Sequence, residues 1–166
     1  MKIKGRVWIF GDEINTDLIS PNTAFRLTPE EQVKLVFSSN RPGWAELVTP
    51  GDILIAGKNF GTGSSRPGAV QLRRLGLGGM AAESCNDLFF RNSVSYGFAA
   101  LQCPGVTGMF VEGDIAIIDF LEGSVQNERT GEKKFGAPLS RSVVDIISAG
   151  GIEELLLKEG YMTKGE

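Results

Sequence analysis

The stretch Gly57-Lys58-Asn59-Phe60-Gly61-Thr62-Gly63-Ser64-Ser65-Arg66-Pro67-Gly68-Ala69-Val70 decides how the rest of the chain is read. The short apolar run before it, Asp52-Ile-Leu-Ile-Ala56, reads as a buried strand. The segment after it, Val70-Gln-Leu-Arg-Arg-Leu75, can form a helix. Glycines on both sides of Thr62 permit positive φ and a close approach of backbone to a ligand. Pro67 suits the first turn of a helix, where a missing N–H removes no intrahelical bond. The spacing therefore predicts Ser64, Ser65 and Arg66 at a helix N-terminus, whose open N–H groups and dipole favour anions. Arg66 adds a fixed fork of donors matched to a carboxylate or phosphate. Taken locally, the same residues serve equally as a Gly-Ser turn with Arg66 in solvent.

Upstream, Lys4 to Phe10 reads as a first strand closed by Gly11. A polar loop follows, Asp12-Glu-Ile-Asn-Thr-Asp-Leu-Ile-Ser-Pro21, in which Asp17 and Ser20 could face a ligand or simply hold turns. Thr28-Pro29-Glu30-Glu31 opens a helix, with Thr28 as its N-cap, that is expected to run to Phe37. Downstream, Met80 to Glu83 predicts a short strand, Asn86 caps a helix reaching Gly97, and Phe98 to Gln102 is again strand-like. This strand–helix rhythm over 52–102 argues for βαβ units and a partly parallel sheet. After residue 111 the pattern changes to strands at 113–119 and 123–128, a hairpin turn at 129–132, and two short helices within 138–148 and 151–160. We expect an α/β fold with the 52–102 units stacked beside a smaller β-rich part. One domain should span 1–166, with a core of about 4–120 and an extension over 121–166.

Composition narrows the chemistry. With 166 residues, 42% hydrophobic and 22% charged, the chain can bury one real core. A net charge of −3 without a basic run argues against nucleic acid as a partner. No apolar segment approaches the roughly 20 residues of a membrane helix, and Met1-Lys-Ile-Lys-Gly-Arg6 lacks the apolar stretch of a signal peptide, so no membrane and a cytoplasmic address are expected. The chain has no histidine, which excludes Ser-His-Asp and Cys-His catalysis within it. Cys85 and Cys103, the only cysteines, lack metal-ligand spacing and read as buried thiols. No metal site is expected in this chain.

The ordered motifs Phe10-Gly-Asp-Glu-Ile-Asn-Thr-Asp-Leu-Ile-Ser-Pro21, Gly51-Asp52, Gly57 to Arg66, and Phe89-Phe-Arg-Asn-Ser-Val-Ser-Tyr-Gly97 together resemble the small subunit of 3-isopropylmalate dehydratase. That subunit corresponds to the swivelling domain of the aconitase superfamily. The resemblance implies a swivelling β/β/α domain with a mixed, partly parallel sheet or barrel-like core. It implies a hydro-lyase of leucine biosynthesis, active as a heterodimer with a large subunit. No cofactor would be bound by this chain; a 4Fe-4S iron–sulfur cluster would sit in the large subunit, and the substrate would be a small di- or tricarboxylate. Carried over motif by motif, Ser64 would be the catalytic base. Ser65 and Arg66 would bind the substrate carboxylate, with Asp17 and Ser20 lining the same cavity. Within the loop that reads the substrate's variable group, Asn22 to Arg26, the resemblance offers Arg26 as a further binding residue.

The sequence also departs from the family's pattern. Arg66-Pro67-Gly68-Ala69 stands where Arg-Glu-His-Ala is usual, and Thr62 stands where isopropylmalate enzymes often have cysteine. Losing the acidic neighbour is expected to leave Arg66 freer to bind an anion. Alternative readings are a methylmalate, dimethylmalate or homoaconitate hydratase small subunit, a non-catalytic carboxylate-binding domain, and a degenerate subunit that only stabilises its partner.

Overall fold

Every residue of β2 (Ile53–Ala56) and of β3 (Gly79–Ala82) is buried, so both strands lie between two packed layers. The computed structural model describes residues 1–64 and 66–163, with Phe25 described by its backbone alone. β1 (Lys2–Ile9), β2, β3 and β4 (Ala100–Gln102) are parallel neighbours, with Val7 opposite Ile53, Ile53 opposite Gly79, and Met80 opposite Ala100. Helices α3 (Gly68–Arg74) and α4 (Asp87–Ser95) make the crossovers between them. Antiparallel strands β5 (Ile115–Asp119), β6 (Ser124–Asn127) and β7 (Lys133–Phe135) complete a seven-stranded sheet of order β4-β3-β2-β1-β5-β6-β7.

The β-rich part after residue 111 is therefore joined edge-on to the parallel units, not stacked beside them as expected. β1 makes the join. Its first half, Lys2 to Arg6, pairs with β5, and its second half, Val7 to Ile9, pairs with β2. The sheet also curls. The Ala137 N–H donates to the Gln102 carbonyl at 2.9 Å, so the chain leaving β7 reaches the far edge strand β4. A Cβ on Gly136 would lie 1.9 Å from that same carbonyl oxygen, so only glycine fits this approach. The result is a half-barrel sheet in a mixed α/β fold.

Strand alternation divides the core in two. Trp8, Phe10, Leu54, Ala56, Met80 and Ala82 face α3 and the 35–48 segment, where Phe37 and Trp44 pack edge-on or tilted against Phe10. Val7, Ile53, Ile55, Ala81 and Leu101 face the inside of the curl, with Ile118, Val125 and the buried side of α5 (Arg141–Ala149). The helix opened by Thr28, α2 (Pro29–Lys34), has its full capping box with Glu31 but ends short of the expected Phe37. Phe37 instead turns back with a φ of 56°, which brings Val36 and Phe37 into the core. Cys85 and Cys103 are free and buried, as the sequence suggested.

The loops that leave β1, β2, β3 and β4 lie at the carboxyl ends of the parallel strands, where open α/β sheets place their ligands.

Candidate active site

Two of these loops build the site. The loop after β1 is laced to the loop after β2 by backbone bonds. Glu13 N–H donates to the Lys58 carbonyl (2.8 Å), Gly61 N–H to the Ile14 carbonyl (2.7 Å), and Thr16 N–H to the Thr62 carbonyl (2.8 Å). Side chains reinforce the ladder, with Asp12 Oδ1 accepting from the Lys58 N–H at 2.7 Å. Gly61 and Gly63 have φ values of 81° and 107°. A Cβ on Gly61 would strike the Phe89 ring at 2.3 Å, and one on Gly63 would lie 2.8 Å from Thr16 Oγ1. Both positions require glycine for conformation and for space.

The segment read as the Asp17–Ser20 loop is a single helical turn, α1 (Thr16–Ile19). Asn15 caps it by accepting the Leu18 N–H. The turn brings Asp17 against Arg66, with Oδ1 and Nη2 2.7 Å apart. Arg66 Nε donates to Ser64 Oγ at 3.2 Å, Nη1 to the Ser20 carbonyl at 2.9 Å, and Nη2 to Asn22 Oδ1 at 2.7 Å. The arginine side chain is 13% exposed, whereas Asp17 is 61% exposed. Ser64 is exposed. A half-buried cation thus points one donor at an accessible hydroxyl and spreads others over backbone, amide and carboxylate.

Several sequence expectations change in detail. Arg66 is not left freer by the loss of an acidic neighbour, because Asp17 and Asn22 reach it from the other loop. Ser20 is 2% exposed, so it gives Arg66 its backbone carbonyl and has no hydroxyl open to solvent. Pro67 is the N-cap of α3 and not part of its first turn. The Arg66 N–H donates to the Ser64 carbonyl and the Gly68 N–H to the Arg66 carbonyl, so tight turns use these donors ahead of the helix. Support for an anion here comes from the guanidinium more than from helix N–H groups. Arg26 is exposed at the end of the 3₁₀ turn Asn22–Arg26, whose first residue contacts Arg66. Ser65 lies outside the described residues. Asn22 was missed as a partner of Arg66, and no local signal marks it.

A family profile described as Aconitase C-terminal domain matches residues 24–105. The 3-isopropylmalate dehydratase small subunit 1 of Methanopyrus kandleri is 39% identical over 160 residues, covering 95% of this chain and 94% of that protein. The isopropylmalate/citramalate isomerase small subunit of Methanocaldococcus jannaschii is 38% identical, with 95% of each chain covered. The chain belongs to the 3-isopropylmalate dehydratase small-subunit family. The crystal structure of 3-isopropylmalate dehydratase from Methanocaldococcus jannaschii superposes with a TM-score of 0.88 at 30% identity, covering 97% of this chain and 96% of that one. Family membership therefore holds for the fold as well as the sequence.

Within this 3-isopropylmalate dehydratase-type chain, no group of three or more His, Cys, Asp or Glu among the described residues is placed to hold a metal ion. The thiols do not fit a cluster. Burial pushes Cys85 up to about 12 and raises Cys103 as well, so neither offers a thiolate near neutrality. Among the described residues no helix is long and apolar enough to cross a membrane. Two further carboxylates brace the scaffold, Glu83 at the carboxyl end of the parallel strands and Asp52 at the opposite end. Burial raises Glu83, but the hydroxyl and N–H of Thr107 and the N–H of Gly105 hold it below its ordinary value and fix the loop after β4. Asp52 is treated the same way by Arg6, Thr49 and the Trp8 indole at the start of β2.

Proposed function

We propose that this chain is the small subunit of a 3-isopropylmalate dehydratase-type hydro-lyase, supplying Ser64 as base and Arg66 as carboxylate ligand to a large partner subunit. The observation that carries the reading is the Ser64–Arg66 contact, held by Asp17 and Asn22 at the carboxyl ends of the parallel strands. The iron–sulfur cluster belongs in the partner, where it supplies a Lewis acid for the substrate's hydroxyl and carboxylate. On this side, the Ser64 oxygen takes the proton α to a carboxylate. The C–H electron pair becomes the alkene bond as hydroxide leaves the neighbouring carbon, and rehydration reverses these transfers.

A serine hydroxyl is a poor base unless its oxyanion is stabilised. A guanidinium donor 3.2 Å away, itself shielded from water, provides fixed positive charge where the negative charge develops. Asp17 offsets that charge only in part, because an exposed carboxylate is solvated and screened. The substrate range is proposed to include smaller substituted malates. A relative of nearly the same length is named for isopropylmalate and citramalate, and Pro67-Gly68 departs from the Glu-His usual in the family.

The test uses the complex reconstituted with its large subunit under anaerobic conditions, assayed with 3-isopropylmalate and citramalate. Ser64→Ala should lower kcat by roughly 100- to 10,000-fold, the usual contribution of a general base. Arg66→Lys keeps the charge but loses the fork, so KM should rise together with the loss of kcat. A near-normal kcat in Ser64→Ala would remove the serine as base.

A further inference from the structure

We infer that Asn22 is a positioning residue that orients Arg66 without neutralising it, and so sets the enzyme's affinity for the substrate carboxylate. The inference rests on the proposed role of Arg66. An arginine has five N–H donors in one plane, so its grip on a carboxylate depends on how that plane is held. Here Nε is directed at Ser64 Oγ and Nη1 at the Ser20 carbonyl, while Nη2 meets both Asn22 Oδ1 and Asp17 Oδ1 at 2.7 Å. The two acceptors on Nη2 differ in charge. Asp17 is an exposed anion and competes with any incoming carboxylate for the same cation. Asn22 is a neutral amide, so it fixes the guanidinium plane and leaves the positive charge to the substrate.

The sequence context fits this division of labour. The residue after Arg66 is Pro67, which has no side-chain acceptor and no N–H and so offers the guanidinium no hydrogen bond. Asn22 offers an acceptor from the first position of the 3₁₀ turn Asn22–Arg26, which carries Arg26 at its other end. The Asn22 Oδ1–Arg66 Nη2 hydrogen bond couples that turn to the guanidinium. Asn22 is exposed, and substitution there creates no cavity.

The experiment compares Asn22→Ala and Asn22→Asp with wild type in the reconstituted complex, using 3-isopropylmalate. Loss of a hydrogen bond to a charged group predicts KM about tenfold higher in Asn22→Ala, with a smaller change in kcat. Asn22→Asp keeps an acceptor of the same shape and adds a second carboxylate on Nη2. Its KM should exceed that of Asn22→Ala, and added salt should narrow the gap by screening. A wild-type KM in Asn22→Ala, or an Asn22→Asp complex that binds as well as wild type, overturns the assignment. Failure of the serine reading is separable. An active Ser64→Ala complex beside a raised KM in both Asn22 variants would remove Ser64 as base and leave the orientation of Arg66 standing.

Discussion

Gly63→Ala tests how tightly the two loops of the site are locked. The glycine has a φ of 107°, and a Cβ there would lie 2.8 Å from Thr16 Oγ1. A left-handed L-residue costs roughly 1–2 kcal/mol, and overpacking a buried neighbour typically adds about 1–3 kcal/mol. Thr16 is 3% exposed, its N–H is tied to the Thr62 carbonyl, and its hydroxyl has no hydrogen-bond partner among the described residues. The backbone therefore cannot retreat easily, and Gly63→Ala should destabilise the chain by roughly 2–5 kcal/mol. Thr16→Ala removes the struck atom without breaking a hydrogen bond, so by itself it should cost only about 1 kcal/mol of lost methyl burial. In the double variant the overpacking share is relieved and the conformational share remains, giving a coupling of about 1–3 kcal/mol. Urea unfolding followed by tryptophan fluorescence would read it, since Trp8 and Trp44 are both buried. Strictly additive costs would mean that Thr16 does not limit the loop, and that the glycine is needed for φ alone.

How much of this was legible before the structure depends on the range of the interactions. Thr28 and Asn86 read correctly as caps because a cap bonds to a backbone N–H two or three residues away. The buried strand before the Gly-Ser loop was legible from its unbroken apolar run. The end of α2 was not, because Val36 and Phe37 keep the apolar spacing of a helix while a left-handed turn at Phe37 carries them into the core. The joining of the β-rich part to the parallel sheet was also hidden. No local pattern reveals that β1 gives its first half to β5 and its second half to β2. At the site, the ordered motifs named Asp17, Ser64 and Arg66, which the fold brings together, but not the contacts that hold them. Arg66 meets Ser20 and Asn22 across 46 and 44 positions of sequence, so its restraint could not be read from its own neighbours. The contact made by Ser20 was hidden for a related reason. Its residue type allowed either a ligand-facing group or a turn-former, and the end of α1 buries it and presents its carbonyl to Arg66.

The thiols offer a simple check on burial. With Cys85 pushed up to about 12 and Cys103 raised, iodoacetamide at pH 8 should leave the native chain unlabelled and label both in denaturant; rapid native labelling would contradict the packing. The acid limb of stability should trace to Asp114. Its carboxylate accepts from Arg129 Nε at 2.6 Å and Nη2 at 2.9 Å, from the Val111 N–H, and from the Asn127 amide. These donors, Arg129 first, hold its folded-state pKa well below the usual carboxylate range. A depressed pKa stabilises the folded state fully above the unfolded value, near 4 for an aspartate, and that contribution is lost as pH falls through the folded value. Asp114→Asn cannot titrate. It should be less stable at neutral pH, because Arg129 loses its partner, yet its stability should fall less steeply below about pH 4. Urea midpoints measured at intervals from pH 7 to pH 2 would separate the two effects. Parallel acid limbs in the variant and wild type would show that Asp114 titrates alike in folded and unfolded chains, and that the Arg129 fork does not hold its charge.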